Sequence, residues 1–425
     1  MLPRGYHSIT RATPGQANTV RPLAGILAAI ALLVAWAVPL VAAPAPDAGS
    51  APDATALRSA ITLAGGYLIR VCDSNGRFEY VRHPDPFVRL KPSYNILRHA
   101  GTMYALADYH RWSGDAAALA AIERAAGFMR GRCIRPVEGA EGALAVWSGP
   151  GFDGESGVPR AKLGGAGLGL VALASLEALK PASVPRDEMM GVGRFILFLQ
   201  REDGHFVKGF TPSKGGKDED WQSLFYPGEA ALGLCMLAEI DGDRRWRDAA
   251  LRGIRYLAIS RKGEGNPPPD HWALIATARL LGHHAEGISP EDRALLLSHA
   301  RQITMAMLND KDATDANPVL SGAWGLDGRT TPTAIRLEGL LAILDFISQG
   351  DEHLRTVILG AVERGVAFLL RTQVREGLLA GGIPKSPPVA GPGADPMAAE
   401  IRIDYVQHAL SAMLQYARRA GVSAK

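Results

Sequence analysis

Apolar residues recur along the chain at intervals of three and four, and no stretch alternates apolar with polar for long. That period lines one face of a helix rather than one face of a strand. From about Ala51 it predicts twelve helices, beginning near Thr55, Pro92, Asp115, Lys162, Pro185, Tyr226, Arg244, His271, Pro290, Pro332, Asp351 and Arg402. Ser113-Gly114-Asp115, Asp241-Gly242-Asp243 and Gln349-Gly350-Asp351 each stop one helix at a glycine and offer an aspartate to cap the next. Links this short make the joined helices antiparallel neighbours.

One pattern returns at long intervals. Tyr67, Phe195, Tyr256 and Phe368 are each followed nine positions later by glycine: Gly76, Gly204, Gly265 and Gly377. In three cases an apolar residue follows the glycine by two: Phe78, Phe206 and Leu379. An aromatic on the packed face, a polar last turn and then glycine is how a helix ends against a neighbour. Its recurrence predicts a repeated helical unit.

The helices divide into two kinds. Those near 92, 162, 226, 271, 332 and 402 are rich in Ala, Gly and Leu, with polar residues in the first turn. Those near 55, 115, 185, 244, 290 and 351 carry a charged stripe. The first kind suits an inner ring and the second an outer one. Six outer–inner pairs give an all-α (α/α)6 toroid over residues 51–425. The outer-to-inner links, such as 132–161, 202–225, 308–331 and 376–401, are long and crowd the end where the inner helices begin.

The N-terminal 50 residues are different. Arg4, Arg11 and Arg21 precede an uncharged stretch whose apolar heart, 23–43, is 21 residues long. It reads as a signal peptide or a membrane anchor followed by a Pro/Ala linker. Small residues at Val41-Ala42-Ala43 and Ala43-Pro44-Ala45 offer cleavage sites, and the length also suffices to span a bilayer. Positive charge before it places the toroid outside the cytoplasm, periplasmic or secreted, released or tethered to the inner membrane. A net charge of +3 gives no case for nucleic acid as a partner. Three cysteines are too few for a disulfide scaffold. Cys72 and Cys133 each follow an aromatic by five residues near a helix end; a bond between them and two free thiols both stay open. Cys235, inside an apolar run, reads as packing.

At the level of architecture the chain resembles the six-hairpin toroids found in glycoside hydrolases, polysaccharide lyases and sugar epimerases. Gln200-Arg-Glu-Asp-Gly-His-Phe206 is also similar to the glutamine-rich turn repeat of terpene-cyclase-type toroids, whose Asp-rich motif is not evident here. The resemblance to the first group implies a carbohydrate-active enzyme whose partner is a poly- or oligosaccharide.

Each inner helix opens on a polar cluster, and first turns at one end of a toroid converge on one funnel. Hydrolysis of a glycosidic bond needs two carboxyl groups. Glu229, Asp270, Glu338 and Asp404 are the candidates, with Asp218 and Asp220 as substitutes. Trp221, Tyr226, Trp272 and Trp324 offer stacking surfaces for sugar rings, and His271 stands beside Trp272 at a helix start. Arg98, Arg336 and Arg402 suit an anionic group on the substrate, because guanidinium binds carboxylate and phosphate in a fork. Glycoside hydrolysis is the leading expectation. The same inventory fits a uronate lyase or C5-epimerase, in which Tyr94, Asn95, Arg98, His99, Tyr226, Tyr405 and His408 neutralise a carboxylate and move a proton. A non-catalytic glycan-binding or assembly protein is the third reading.

Each residue also has a plainer role available. Asp270 could cap its helix, Glu229 could answer the helix dipole, Arg98 could pair with Glu338 or Asp404, and His99 could be a satisfied core histidine. Lys208, Lys214 and Lys217 read as solvated. Leu163-Gly-Gly-Ala-Gly-Leu-Gly169 follows no strand, so helix packing explains its glycines better than a nucleotide loop. No cofactor or metal is expected: His283-His284 has no third ligand at metal spacing.

Overall fold

Twelve helices stand in the expected order among the described residues of the computed structural model, which are 51–91, 93–149, 157–218, 223–309, 317–347, 350–387 and 395–425. They are α1 (Ala54–Arg70), α2 (Ile96–Ser113), α3 (Ala116–Cys133), α4 (Leu163–Leu179), α5 (Arg186–Phe198), α6 (Tyr226–Asp241), α7 (Arg244–Ser260), α8 (His271–His283), α9 (Pro290–Asn309), α10 (Thr330–Ile343), α11 (Glu352–Thr372) and α12 (Ile403–Arg419). The apolar stretch 23–43, Asp220 and Trp221 lie outside the described residues. No helix among the described residues is long and apolar enough to cross a membrane.

The even-numbered helices close a ring in which each packs on the next and α12 returns to α2. Their burial follows from that position. Every residue of α4 from Leu163 to Leu176 is buried, and every residue of α6 from Pro227 to Ala238. Glycines let these backbones approach. A Cβ on Gly167 would meet the Glu229–Ala230 backbone, and one on Gly228 would meet the start of α8. The odd-numbered helices bury one side only, as their charged stripes require.

Local chemistry sets the helix ends. Asp53, Asn95, Asp115, Asp243 and Asp270 each accept a hydrogen bond from a backbone N–H two or three residues on. Gly114 and Gly242 supply left-handed stops, with φ of 69° and 77°. Asp351 departs from expectation. It precedes α11 without a capping bond, and both its oxygens lie 2.8 Å from Arg301 Nη1.

The aromatic-to-glycine repeat marks a staple in the outer ring. After α1 the chain turns back through a bridge between Cys72 and Phe78, and after α5 through one between Gln200 and Phe206. Gly76 and Gly204 sit at positive φ in these turns, pressed on the carbonyls of Arg124 in α3 and Arg252 in α7. After α9 and α11 the same contact falls to Gly322, against Arg364, and Gly381, against Leu63. The repeat therefore misplaces the last contact: Gly377 has a positive φ but open space around it. After α7 the turn glycine at positive φ is Gly263, two residues before the predicted Gly265.

The long links also contain strands that the periodicity does not show. β2 (Ile134–Pro136), β3 (Leu144–Ser148), β4 (Arg160–Lys162), β5 (Gly209–Thr211) and β6 (Gly216–Lys217) form one antiparallel sheet in that order. β3 is buried from Ala145 to Ser148, so it has no alternating pattern to read. Leu144 fills the notch at Gly191 of α5, and Val146 fills the one at Gly169 of α4. Lys208, expected in solvent, is buried at the start of β5 and pairs with Asp218 at 3.0 Å. A shorter pair, β1 (Val81–Arg82) with β7 (Ile401–Arg402), ties the α1–α2 link to the start of α12. Cys72, Cys133 and Cys235 are free, buried thiols.

Candidate active site

Arg402 precedes α12 in extended backbone because β7 pairs with β1 there, and Ile403 N–H donates to the Tyr80 carbonyl. That anchor fixes the first turn of α12, with Asp404 and His408 four residues apart on one face. Asp404 accepts from Arg402 Nε at 2.6 Å and Nη2 at 3.0 Å, and forms an ion pair with Arg98 Nε of α2 at 2.9 Å. Arg98 also donates to the Tyr80 hydroxyl. Burial works against the Asp404 carboxylate, but Arg98 and Arg402 outweigh it and hold its pKa below the ordinary value. The guanidinium of Arg402 covers the Tyr405 ring at 4.4 Å, and the Tyr405 hydroxyl donates to Glu400 at 2.9 Å.

The centre of the ring holds three proton-carrying groups. His408 Nδ1 lies 2.8 Å from Glu338 Oε2 of α10. His271 Nε2, from the first residue of α8, lies 3.8 Å from the same oxygen. Gly339 makes this approach feasible: a Cβ there would stand 3.2 Å from His271 Cα, so α10 and the first turn of α8 close on one another beside Glu338. The two imidazoles are 5.6 Å apart and roughly perpendicular. Phe225, Trp272 and, behind it, Tyr104 complete an aromatic wall.

Their environments drive the histidines apart. Burial lowers His271 well below the ordinary range, and the charges of His408 and Arg336 push the same way. Burial also opposes a charge on His408, but the charge and hydrogen bond of Glu338 reverse the balance and raise it. Burial raises Glu338 against the pull of His408. The dyad thus shares one proton across its hydrogen bond, while His271 stays neutral. Among the described residues, neither nitrogen of His271 has a hydrogen-bond partner.

Other predicted residues lie elsewhere. Asn95 caps α2. Tyr94 and His99 face outward into the α2–α3 core: Tyr94 O–H donates to His99 Nδ1 at 2.8 Å, and His99 Nε2–H donates to the Ala125 carbonyl at 3.0 Å. Burial holds His99 down at about 4. Trp324 is no sugar platform; it is buried, with its indole N–H on the Met307 carbonyl at 2.9 Å. Asp270 caps α8 and pairs with Arg261 at 2.9 Å, wholly buried. Glu229 is buried beside Gly164, and burial with the nearby Asp270 raises its pKa well above the ordinary value. Tyr226 is half-buried against Gly164, and Arg336 Nη1 donates to the Pro332 carbonyl at 3.1 Å. A surface cleft of about 750 Å³ near Pro136, Leu144 and Arg194 contains none of these groups. Tyr80, Gln407 and Ser411, which the sequence reading did not select, support Arg98, His408 and Glu338 respectively. Gln407 and Ser411 carried a signal, polar residues three and seven positions after Asp404 on α12.

Six hairpins closed into a ring with polar inner first turns define the (α/α)6 toroid fold. Solved structures of that fold similar to this chain include cellobiose 2-epimerase from Bacillus thermoamylovorans, with a TM-score of 0.61 and 12% identity over 86% of this chain and 99% of that one. A D-mannose isomerase gives 0.60 and 11% over 86% and 98%. A family 76 glycoside hydrolase from a bovine Bacteroides thetaiotaomicron strain gives 0.59 and 10% over 86% and 78%. At these identities the likeness is one of fold. No family model matches the sequence, and no curated protein matches it.

Proposed function

We propose that the protein is an exported carbohydrate-active enzyme that moves a proton at a sugar carbon next to a carbonyl or carboxylate, as an epimerase or isomerase does. The observation that carries this is the pairing of His271 and His408, one neutral and one sharing a proton with Glu338, on the two helices that flank α10 in the ring. Groups whose pKa values are pushed apart in one cavity divide naturally into base and acid. His271 takes the proton, and the His408–Glu338 dyad returns one to the carbon or to the oxygen of the enolate. Arg98 and Arg402, partly exposed around Asp404, provide the polar rim. The activities of the epimerase and isomerase neighbours support this chemistry. The apolar segment 23–43 supports export.

Glycoside hydrolysis is the second reading. Burial raises Glu229 and Glu338 toward the protonated form that a general acid needs, while Arg98 and Arg402 hold Asp404 below its ordinary value against its burial. One experiment separates the two. Proton transfer places solvent deuterium on a sugar carbon in heavy water, read by NMR, with no new reducing ends. Release of reducing ends without carbon-bound deuterium would overturn the first reading in favour of the second.

A further inference from the structure

We propose that His271, Glu338 and His408 also form a binding site for a divalent transition-metal ion of the zinc type. Each offers one ligand atom, and all three atoms lie within 4.8 Å of one another. Two imidazoles and one carboxylate are the donor set that zinc, cobalt and nickel prefer over magnesium or calcium, and three protein ligands leave a position open. The ligands come from three different helices of the buried ring, so their backbones are fixed by packing rather than by a loop.

A second observation points the same way. His271 is 1% exposed, yet neither of its nitrogens finds a partner among the described residues, and Nε2 is aimed at Glu338 Oε2 from 3.8 Å. That gap is too long for a hydrogen bond. It is of the size left between two ligands that share an ion, each about 2.0–2.2 Å from it. His408 Nδ1 already faces the same oxygen. The surroundings are prepared as well: Ser411 bonds Glu338, and the Gln407 amide lies 3.4 Å from His408 Nε2. Such outer contacts orient metal ligands. The positive charges of Arg336 and Arg98 oppose an ion, and the Glu338 carboxylate offsets part of that opposition.

By contrast, Glu239 lies 3.6 Å from His283 and 3.5 Å from His284, but Arg279 occupies both its oxygens. That surface group is therefore the control. An ion on His271 and His408 would use the lone pairs that proton transfer needs, so the metal-bound and proton-transferring states exclude each other.

The test is calorimetric titration of the chelator-treated full chain with Zn²⁺, together with the visible spectrum after Co²⁺ addition. Neither readout involves a sugar, so failure here leaves the proposed reaction standing, and failure of that reaction leaves the site standing. The expected result is one ion per chain and a cobalt band. His271→Gln and His408→Gln should each weaken binding about tenfold or more and remove the band, while the His283→Gln/His284→Gln double variant binds as before. The proposal is overturned if the wild-type chain binds no ion, if binding survives His271→Gln, or if it follows His283 and His284. Circular dichroism on each variant separates lost ligands from lost fold.

Discussion

Glu338 Oε2 is shared by two histidines from different helices: His408 Nδ1 at 2.8 Å and, on the other side, His271 Nε2 at 3.8 Å. The shorter contact binds a proton into a dyad, and the longer one leaves a neutral imidazole with a lone pair to use.

Removing either imidazole should therefore stop chemistry without unfolding the ring. General acid–base groups typically contribute 10²–10⁴-fold. His271→Gln and His408→Gln should each lower the rate of solvent-proton exchange into sugar by about that factor. Glu338→Gln should act differently. The Glu338 carboxylate raises His408, so its loss lets His408 deprotonate at lower pH and moves the alkaline limb of the pH–rate profile downward. An unmoved limb would falsify the dyad.

Asp270 belongs to the fold rather than to the chemistry. Breaking a buried ion pair on one side typically costs roughly 3–5 kcal/mol, because the partner is left charged and dry. Asp270→Asn keeps the capping oxygen but strands Arg261. Urea denaturation should show a loss of that order, and Arg261→Met in the same chain should recover a large part of it. A double variant no more stable than Asp270→Asn would refute the structural role.

The architecture was readable because a buried helix and a half-buried helix write different patterns at the same period. The sheet was not, because β3 is covered on both faces and its apolar run has no alternation. The site was readable only as a set of first turns. Adjacent residues on a helix point about 100° apart, so Arg98 turns to Asp404 while His99 turns to Ala125. Both are polar, and nothing in the one-dimensional pattern says which faces the funnel. Trp324 failed for a related reason: a tryptophan in a long loop looks the same whether it meets a sugar or the Met307 carbonyl. Gly339, which brings Glu338 to His271, is one glycine among 48.

A staple glycine and a helix-stop glycine make a paired test. Gly76 and Gly114 both sit at positive φ, 84° and 69°, so alanine at either costs about 1–2 kcal/mol of backbone strain. A Cβ at Gly114 meets nothing within 4 Å, whereas one at Gly76 runs into the Arg124 carbonyl of α3. Overpacking adds roughly 1–3 kcal/mol. Gly76→Ala should therefore lower the melting temperature clearly more than Gly114→Ala. Equal shifts would remove the outer-ring contact from the account.

Acid should destabilise the fold through its buried, neutral histidines. Burial lowers His99 to about 4 and His299 to about 3 in the folded chain, against about 6.5 when unfolded. Between those values the unfolded state binds the protons and the folded state does not, so stability falls as pH drops. The His99 contribution is fully present above about 6.5 and is lost as pH falls toward its folded value of about 4. For His99 alone the shift corresponds to roughly 3 kcal/mol across the window. The urea midpoint should hold between pH 7 and 8 and drop steadily from pH 6.5 to pH 4.5. His99→Gln should be less stable at neutral pH, having lost the fit to Tyr94 and Ala125, yet its midpoint should fall less steeply on acidification. A slope as steep as the wild type's would mean that His99 takes up its proton without unfolding the chain.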